Sequence, residues 1–296
     1  MNTTLSVIIL TANEHLHIRR CIENIRALAT EVFVVDCHST DGTQEIARAC
    51  GAMVVEHDWP GNQADQLNWA LATLPLKGDW VLRLDADEYL TPALIDEIKT
   101  RLDALPPEVH GVAYAFDLVF QGKRLRFGPS RPEILRLWRR GKARCERRLM
   151  DERMVLLEGR AASFKGRFVD HNLNGIDWWV RKHLGYAKRE MAQAAIAMLG
   201  QQGHGRADKG MYYRLPLYWR AFAYFFYRYV VRLGFLDGKA GFLWHFMQGW
   251  WYRTLVDAKI LEMQRLYRAT EGGASLREWL RDYLRREGIT LPEDFC

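Results

Sequence analysis

Residues 6–14 read Ser-Val-Ile-Ile-Leu-Thr-Ala-Asn-Glu, an apolar run that ends abruptly in polar side chains. Continuous Val, Ile and Leu runs are typical of strands that are buried on both faces of a parallel sheet. Similar runs occur at residues 31–35, 52–56 and 80–84, and segments with apolar residues at helical spacing separate them. The alternation predicts an α/β fold in which a mainly parallel, Rossmann-like sheet is flanked by helices.

A polar cluster directly follows three of these predicted strands. The clusters are residues 11–14, residues 36–43 and residues 85–88. Ligands of open parallel sheets bind beyond the carboxyl ends of the strands, so all three clusters should face one binding crevice. Helix N-caps also use Asp, Ser and Thr, and capping alone would explain any one cluster. Three clusters at one sheet edge favour a ligand site.

The third cluster contains two carboxylates that are two residues apart, Asp85 and Asp87. Mg²⁺ and Mn²⁺ are commonly held by one or two carboxylates together with substrate phosphates. Such an ion would act as a Lewis acid towards a departing diphosphate. The alternative is a solvated turn, with Asp87 or Glu88 capping the helix that begins near Pro92.

The overall composition is that of a folded protein with an anionic partner. Hydrophobic residues make up 49% of the chain, and the net charge of +6 suits a phosphorylated ligand, a nucleic acid or an anionic lipid. The five cysteines contain no Cys-x-x-Cys pair, which favours reduced thiols in the cytoplasm over a disulfide framework or a zinc site. We expect neither a signal peptide nor a membrane-spanning segment.

The order and spacing of the three clusters resemble the nucleotide-sugar-binding half of the family 2 glycosyltransferases. The resemblance covers about the first third of the chain. It implies the A-type glycosyltransferase fold, a UDP-sugar donor, Mn²⁺ or Mg²⁺ as cofactor, and inversion at the anomeric carbon. Cys37 stands where many members of the family have a second Asp. That variant is similar to the subgroup that extends lipopolysaccharide core or exopolysaccharide.

The resemblance also implies roles for individual residues. Side chains of the first two clusters would bind the donor: Thr11, Asn13, Glu14, Ser39 and Asp41. Asp36 would accept a hydrogen bond from the uracil ring. Asp85 would contact the ribose or the metal ion, and Asp87 would bind the metal ion.

Three further positions follow from the same resemblance or from local pattern. In residues 61–68, Gln63 and Asn68 would approach the donor, although capping of the next helix explains this segment equally well. His171 follows a predicted strand at 163–169 and could be a further metal or diphosphate ligand. A single His is more often structural.

An inverting transfer needs a base that takes the proton of the acceptor hydroxyl. In the family this base is a carboxylate in the second half of the catalytic domain, and residues 150–152, Met-Asp-Glu, match that position. We favour Glu152 as the base, with Asp151 as the second candidate. Either side chain could instead pair with the neighbouring arginines.

The last third of the chain is helical and unusually aromatic. Between residues 216 and 233, Arg220, Arg228 and Arg232 fall within about a 120° sector of a helix. The other side carries aromatic and small apolar residues: Trp219, Phe222, Ala223, Phe226 and Val230. This pattern predicts an in-plane helix on an anionic membrane surface, and residues 241–252 predict a second one. The alternative is a helical layer or a dimer interface.

We therefore expect a catalytic domain at residues 1–205 and a membrane-associating, acceptor-binding helical region at residues 206–296. The predicted enzyme transfers a hexose from a UDP-sugar to a lipid-linked, lipopolysaccharide or exopolysaccharide glycan. It would work at the cytoplasmic face of the inner membrane as a peripheral or monotopic protein, with no nucleic acid partner besides the nucleotide donor.

Other classes of function explain fewer of these features. A basic nucleic-acid-binding protein or an inactive membrane scaffold accounts for the charge and the aromatic residues. Neither explains the acidic residues at 85–88 or the cluster at 11–14. A nucleotidyltransferase would carry a glycine-rich basic loop after its first strand, and this sequence has none.

Overall fold

The structure is a computed structural model that describes residues 3–129, 131–147, 150, 152–198, 215–270 and 275–289. Two compact units make up the chain. The sheet unit comprises Met1–Arg124, Ser130–Arg147 and Glu152–Asn174. The helical unit comprises Leu125–Pro129, Arg148–Asp151 and Gly175–Cys296. The boundary predicted near residue 205 lies outside the described residues.

The strands alternate with helices through the first hundred residues, as the apolar runs predict. The strands are β1 (Leu5–Thr11), β2 (Glu31–Asp36), β3 (Met53–Glu56), β4 (Trp80–Asp85), β5 (Glu88–Leu90), β6 (Val109–Tyr114), β7 (Phe116–Phe120), β8 (Lys123–Leu125), β9 (Ile134–Arg139), β10 (Ala143–Cys145), β11 (Met154–Leu156), β12 (Arg160–Ser163) and β13 (Phe168–His171). The helices of this part are α1 (Ile18–Ile25), α2 (Thr43–Ala49), α3 (Gln63–Thr73) and α4 (Pro92–Arg101), the last followed by a 3₁₀ turn at Leu102–Ala104.

The main sheet has seven strands in the order β12-β6-β9-β4-β1-β2-β3. β1 runs parallel to β2 and β4, and β3 runs parallel to β2, whereas β9 is antiparallel to both of its neighbours. The strand order reverses between β1 and β4, which is where ligands bind in sheets of this kind. The predicted mainly parallel sheet is confirmed.

The main sheet is buried on both faces. Every residue of β1 is buried, and its side chains alternate between two hydrophobic clusters. Val7 and Ile9 pack in the cluster that includes residues of α1 and α4, whereas Ile8 and Leu10 pack in the cluster that includes residues of α3. A second sheet, in the order β5-β13-β7-β8, carries β13 beside the acidic residues that follow β4.

The helical unit is built around its own core. Its helices are α5 (Ile176–Met198), α6 (Trp219–Phe226), α7 (Gly238–Trp244), α8 (Tyr252–Arg268) and α9 (Leu276–Arg286). π-helical turns at Tyr227–Val231 and His245–Trp251 extend α6 and α7, and a 3₁₀ turn covers Gly234–Asp237. α5, α8 and α9 share one hydrophobic cluster. In the part of the chain that the structure describes, we find no helix that combines the length and the apolar character needed to cross a bilayer.

Candidate active site

The first two polar clusters are joined through the Asp36 carboxylate at the end of β2. Asp36 is fully buried and accepts four hydrogen bonds, from the Thr11 hydroxyl, the Ser39 N–H and hydroxyl, and the Gln44 amide. The donor-to-acceptor distances run from 2.6 to 2.8 Å. A carboxylate offers about four acceptor positions, so Asp36 is saturated. Its predicted hydrogen bond from uracil would require this loop to open first.

Asn13 connects the loops that follow β1 and β2. Its backbone is left-handed, with φ of 58°, a conformation that Asn tolerates better than most residues. The Asn13 N–H donates to the Ser39 hydroxyl at 2.7 Å, and the Thr40 N–H donates to the Asn13 side-chain oxygen at 3.0 Å. His38 has a similar backbone, with φ of 55°. Two strained positions in adjacent loops indicate a surface held in a set shape.

Glu14 and Asp41 complete this edge. The Glu14 N–H donates to the Thr43 hydroxyl at 2.8 Å, and the Glu14 carboxylate lies 2.6 Å from His17 Nδ1. Asp41 accepts hydrogen bonds from Thr43 and His15. Burial acts to raise the pKa of Asp41, but these hydrogen bonds outweigh it and lower the pKa to about 2. The six predicted donor residues of the first two clusters therefore meet at one sheet edge.

The acidic turn, defined here as residues 85–88, begins where β4 ends. The Asp85 carboxylate receives Arg83 Nη2 at 3.1 Å and Arg136 Nη2 at 3.3 Å. Burial acts to raise the pKa of Asp85, but the two guanidinium groups prevail and hold it well below its usual range. Gln63 Nε2 lies 3.4 Å from the same carboxylate, so the predicted donor residue Gln63 does reach the acidic turn.

Glu88 lies deeper than the two aspartates and is buried. Its Oε1 accepts a hydrogen bond from Arg136 at 2.6 Å, and its Oε2 accepts one from the Asp85 N–H at 2.9 Å. Burial, followed by the nearby Asp85, raises the pKa of Glu88 well above its usual value despite Arg136. The helix-capping alternative is wrong, because Thr91 caps α4 with its own hydroxyl.

Asp87 differs from Asp85 in its partners. Asn172 Nδ2 donates to Asp87 Oδ2 at 2.9 Å. Among the described residues, no Lys, Arg or His forms an ion pair with the Asp87 carboxylate. Asp87 is partly exposed, and its one side-chain partner in the described ranges is a neutral amide, so its negative charge is available for a cation. The donor set at Asp87 therefore fits Mn²⁺ or Mg²⁺.

His171 is held by an arginine. Arg20 Nη1 lies 3.2 Å from His171 Nδ1, which must accept because a guanidinium only donates. Burial, together with the positive Arg20, lowers the pKa of His171. The Nδ1 atom is therefore occupied by Arg20, and the predicted metal role of His171 stays a prediction. Within the described ranges, no group of three His, Cys, Asp or Glu side chains forms a metal cluster.

Asn68 does not face the donor edge as predicted. Its amide group donates to the Cys145 carbonyl and accepts from the Cys145 N–H, both at 2.9 Å, and so fixes the end of β10 to α3. The capping alternative for residues 61–68 is confirmed at Asn62, which caps α3. Its side chain accepts a hydrogen bond from the Asp65 N–H. Both amide positions of Asn68 are used structurally.

The predicted base Glu152 lies just before β11 and is half-buried. β11 pairs with β10, and the Glu146 N–H donates to the Arg153 carbonyl at 2.7 Å. Burial raises the pKa of the neighbouring Cys145 thiol to about 11, and the charges of Glu152 and Asp85 add to that effect. The charges of both carboxylates thus act on one thiol, and the role of Glu152 as the base stays a prediction. Asp151 lies outside the described residues.

Sequence reasoning missed the arginines of this site. Arg83 and Arg136 are buried inside apolar strands, and a buried guanidinium requires a carboxylate partner. That signal was available in the run Trp-Val-Leu-Arg-Leu-Asp at residues 80–85. Arg20 and Asn172 carried no such signal, because each reaches Asp87 from a distant part of the chain.

The profile of glycosyl transferase family 2 matches residues 6–168, which is more than half of the chain. The chain therefore belongs to family 2 of the glycosyltransferases. The sheet unit has the mixed α/β architecture of the A-type glycosyltransferase fold, with a mainly parallel central sheet. The predicted family and fold class are confirmed.

Named relatives match parts of the chain. It is 42% identical over 95 residues to an uncharacterized glycosyltransferase of Rickettsia bellii, across 32% of this chain and 31% of that protein. It is 30% identical over 160 residues to lipopolysaccharide core biosynthesis glycosyltransferase LpsC of Rhizobium meliloti. That match covers 48% of this chain and 53% of LpsC. It is 31% identical over 127 residues to succinoglycan biosynthesis protein ExoA of the same organism, across 38% of each protein. The chain thus spans about a third of the length of the Rickettsia relative.

Solved structures match more weakly. Glucosyl-3-phosphoglycerate synthase of Mycobacterium tuberculosis, in complex with Mn²⁺, UDP and glucosyl-3-phosphoglycerate, is 28% identical. The match covers 38% of this chain and 44% of that one, with a TM-score of 0.30.

Proposed function

We propose that this protein transfers a hexose from a UDP-sugar to the hydroxyl group of a growing glycan, with inversion at the anomeric carbon. The observation that carries the proposal is the meeting of three polar clusters where the strand order reverses. The Thr11 hydroxyl bonds to Asp36, and Asp85 is the register partner of Leu10 on the neighbouring strand. The loops that follow β1, β2 and β4 thus begin at one edge of the sheet in a protein of this family.

The loops after β1 and β2 would bind the nucleotide. The hydrogen-bonded pair of Asn13 and Ser39 holds their backbone in one shape, so little ordering is needed when the donor binds. Because Asp36 is saturated, the base would meet backbone groups and side chains around it, such as the half-buried Cys37. Gln66 Nε2 lies 2.7 Å from Cys37 Sγ and orients that thiol.

Asp87, with Asp85 beside it, would hold Mn²⁺ or Mg²⁺ and the donor diphosphate. When bound, such an ion supplies positive charge against the negative charge of the departing UDP. Asn172 orients the Asp87 carboxylate through its hydrogen bond to Oδ2. Arg83 and Arg136 keep Asp85 ionised, which preserves its ability to bind the ribose or the ion.

Glu152 would remove the proton from the acceptor hydroxyl, with Asp151 as the second candidate. The hydroxyl oxygen forms a new bond to the anomeric carbon as the bond from that carbon to the diphosphate breaks. Attack from the face opposite the diphosphate gives a β-linked product from an α-linked donor. The proton passes to the carboxylate, and UDP leaves with the bonding electrons.

The acceptor we propose is a lipid-linked, lipopolysaccharide or exopolysaccharide glycan at the cytoplasmic face of the inner membrane. The similarity to LpsC and ExoA supports this class, since their names place those two proteins in lipopolysaccharide core and succinoglycan biosynthesis. The net charge of +6 suits an acceptor or surface that carries phosphate groups.

The first test is calorimetric titration of UDP into the purified protein, with Mn²⁺ and again with a chelator. We expect binding that requires the ion and that CDP and GDP do not reproduce. UDP-sugars that bind would then be incubated with lipid extracts, and UDP release measured. Equal binding with and without the ion would remove the metal from the proposal, and no binding of UDP would refute the donor assignment.

A further inference from the structure

Residues 219–251 form a helical hairpin within the helical unit, called the aromatic hairpin here. Its first arm is α6 with the π-helical turn that ends at Val231, and its second arm is α7 with the π-helical turn that ends at Trp251. The arms pack closely, because a Cβ placed on Gly249 would lie 3.6 Å from the Cα of Phe225. The hairpin is thus a defined surface element.

The charged side chains of the first arm point inwards. Residues 219–231 contain two charged residues, Arg220 and Arg228, and both are buried. Arg220 Nε donates to Asp257 of α8 at 2.7 Å, and Asp257 is itself 0% exposed. Arg228 Nη1 donates to Gln248 of the second arm at 2.9 Å. The interior of this element therefore contains ionic and polar contacts.

The second arm and the turn also bury polar groups, although two cations at the turn end of the hairpin, Arg232 and Lys239, are exposed. His245 is fully buried and Asp237 is nearly so. The Asp237 carboxylate accepts hydrogen bonds from the N–H groups of Arg126 and Phe127, at 2.8 and 2.9 Å. These polar groups also lie on the inside of the hairpin.

Apart from Arg232 and Lys239 at the turn, the outer face of the hairpin is apolar. On the first arm every exposed side chain is Trp, Phe, Ala, Tyr or Val, and Trp219 is 70% exposed. The exposed large apolar residues of the hairpin are Trp219, Phe222, Phe226, Tyr227, Val230, Val231, Leu233, Phe235, Leu236, Phe242, Phe246 and Trp250. A soluble monomer rarely exposes a contiguous apolar patch of more than about 300–600 Å², so this face calls for a covering partner.

The polarity of this helix is the reverse of the sequence prediction. The arginine sector was expected to face anionic headgroups, but Arg220 and Arg228 face inwards and only Arg232 of the three is exposed. Of the three arginines, only Arg232 is therefore placed to attract anionic lipid. What the hairpin offers to the outside is aromatic and aliphatic surface.

We propose that the aromatic hairpin is seated among the acyl chains of one membrane leaflet. Inward charges and outward apolar side chains are the arrangement that a hydrocarbon solvent favours, because burial against lipid removes the apolar surface from water. The first arm, residues 219–231, is about 20 Å long at 1.5 Å per residue, which is shorter than the roughly 30 Å hydrocarbon core. The hairpin therefore enters one leaflet without crossing the bilayer.

Lipid suits this surface better than a second copy of the chain or another protein. Protein–protein interfaces contain about one hydrogen bond per 100–200 Å² of buried area and have a polar rim. The exposed side chains of the first arm offer only indole and phenol groups for hydrogen bonding. Trp and Tyr are also the side chains that collect at the boundary between headgroups and acyl chains. Binding should consequently depend on apolar area and little on salt.

The test is flotation of the full chain with neutral phosphatidylcholine vesicles at about 0.1 M and about 1 M salt, since the higher salt screens exposed charges. We expect the protein to float under both conditions. Brominated acyl chains should also quench its tryptophan fluorescence. Binding that requires anionic lipid and disappears at the higher salt would refute the proposal in favour of electrostatic adsorption.

A triple variant, Trp219→Ser with Phe222→Ser and Phe226→Ser, should lower the vesicle partition coefficient by about 100-fold. Trp59→Ser is the matched control, because Trp59 is a half-exposed aromatic residue of the sheet unit, and it should leave partitioning unchanged. UDP binding by the triple variant, together with its circular dichroism, shows that the protein is folded and keeps the donor site separate from this question. A stable dimer that ignores vesicles and dissociates in the triple variant would overturn the lipid assignment.

Discussion

Arg83 and Arg136 of the sheet unit are buried below a polar edge, where their positive charges hold Asp85 ionised and Arg136 also pairs with the buried Glu88. Arg220 and Arg228 of the helical unit are buried to the same degree, but below an apolar surface and against Asp257 and Gln248. The same residue type therefore serves two purposes. In the first unit it sets the charge of a site, and in the second it fills the interior of an element whose outside is hydrophobic.

The comparison predicts that charges in the sheet unit matter for turnover and charges in the helical unit matter for stability. Asp87→Asn is the sharpest test of the first half, because it keeps the hydrogen bond to Asn172 but removes the negative charge. We expect turnover to fall by about 1,000-fold, equivalent to about 4 kcal/mol, with an unchanged melting temperature. UDP release and thermal unfolding measure the two effects.

The control for this variant is Asp96→Asn, at an exposed position on α4. It should leave both turnover and melting temperature unchanged. Full activity of Asp87→Asn would remove the cation role from this carboxylate and weaken the contrast between the two units.

Asp257→Asn tests the second half of the comparison. It leaves the buried Arg220 without a charged partner, and removal of one member of a buried ion pair costs about 3 kcal/mol or more. We expect that loss in urea unfolding followed by helical circular dichroism, with UDP binding retained at temperatures where the variant is folded.

The double variant Arg220→Met with Asp257→Leu should recover most of that stability, because an apolar pair needs no charge compensation. Failure of the double variant to recover would show that the ion pair acts through its specific geometry. In that case burial of charge alone would not explain the arrangement.

The pH dependence of the helical unit is expected to follow two buried histidines, His183 and His245, whose pKa values burial lowers to about 4. Burial lowers the pKa of His183 to about 4, partly offset by its hydrogen bond to the Trp179 carbonyl. The unfolded chain then binds more protons than the folded one between about pH 6.5 and pH 4, so stability is complete above that range and falls as the pH drops through it. The expected loss from His183 alone is about 3 kcal/mol at pH 4.

His183→Phe keeps the stacking against Trp179, whose ring centroid lies 3.4 Å away, and removes the titrating group. Unfolding of this variant should lose the His183 part of the pH dependence between about pH 6.5 and pH 4, whereas the part due to His245 should remain. An unchanged pH profile would assign the effect to another group of the helical unit.

The smallest expected effect lies in the sheet unit. Thr11→Val removes one of the four hydrogen bonds of Asp36 while it keeps the shape of the side chain. We expect a loss of about 1 kcal/mol in stability and a higher KM for the donor, with kcat little changed. A lower kcat at unchanged KM would instead place Thr11 in the chemical step.

Much of the sheet unit follows from local sequence alone. The apolar runs at residues 6–10 and 80–84 favour buried strands, and the carboxyl ends of parallel strands meet at one edge of a sheet. Thr11, Asn13, Asp36 and Ser39 were therefore found together as predicted. The physical reason is that an apolar run and the polar residues at its end are properties of residues that are neighbours in the chain.

Other features depend on contacts between residues that are distant in the chain. β9 lies antiparallel to β4 and brings Arg136 to Asp85, and β13 brings Asn172 to Asp87. The saturation of Asp36 depends on Gln44, and the structural use of Asn68 depends on Cys145. No local pattern encodes such pairs, because each is set by how separate elements pack.

The aromatic hairpin shows a feature that the local sequence pattern cannot predict. Helical periodicity correctly separates the arginines of residues 216–233 from the aromatic residues, and it makes one side charged and the other apolar. It cannot say which side faces the protein, because that depends on whether the interior supplies partners such as Asp257 and Gln248. The sequence sets the two faces of the helix, and packing against α8 and the second arm turns the charged face inwards.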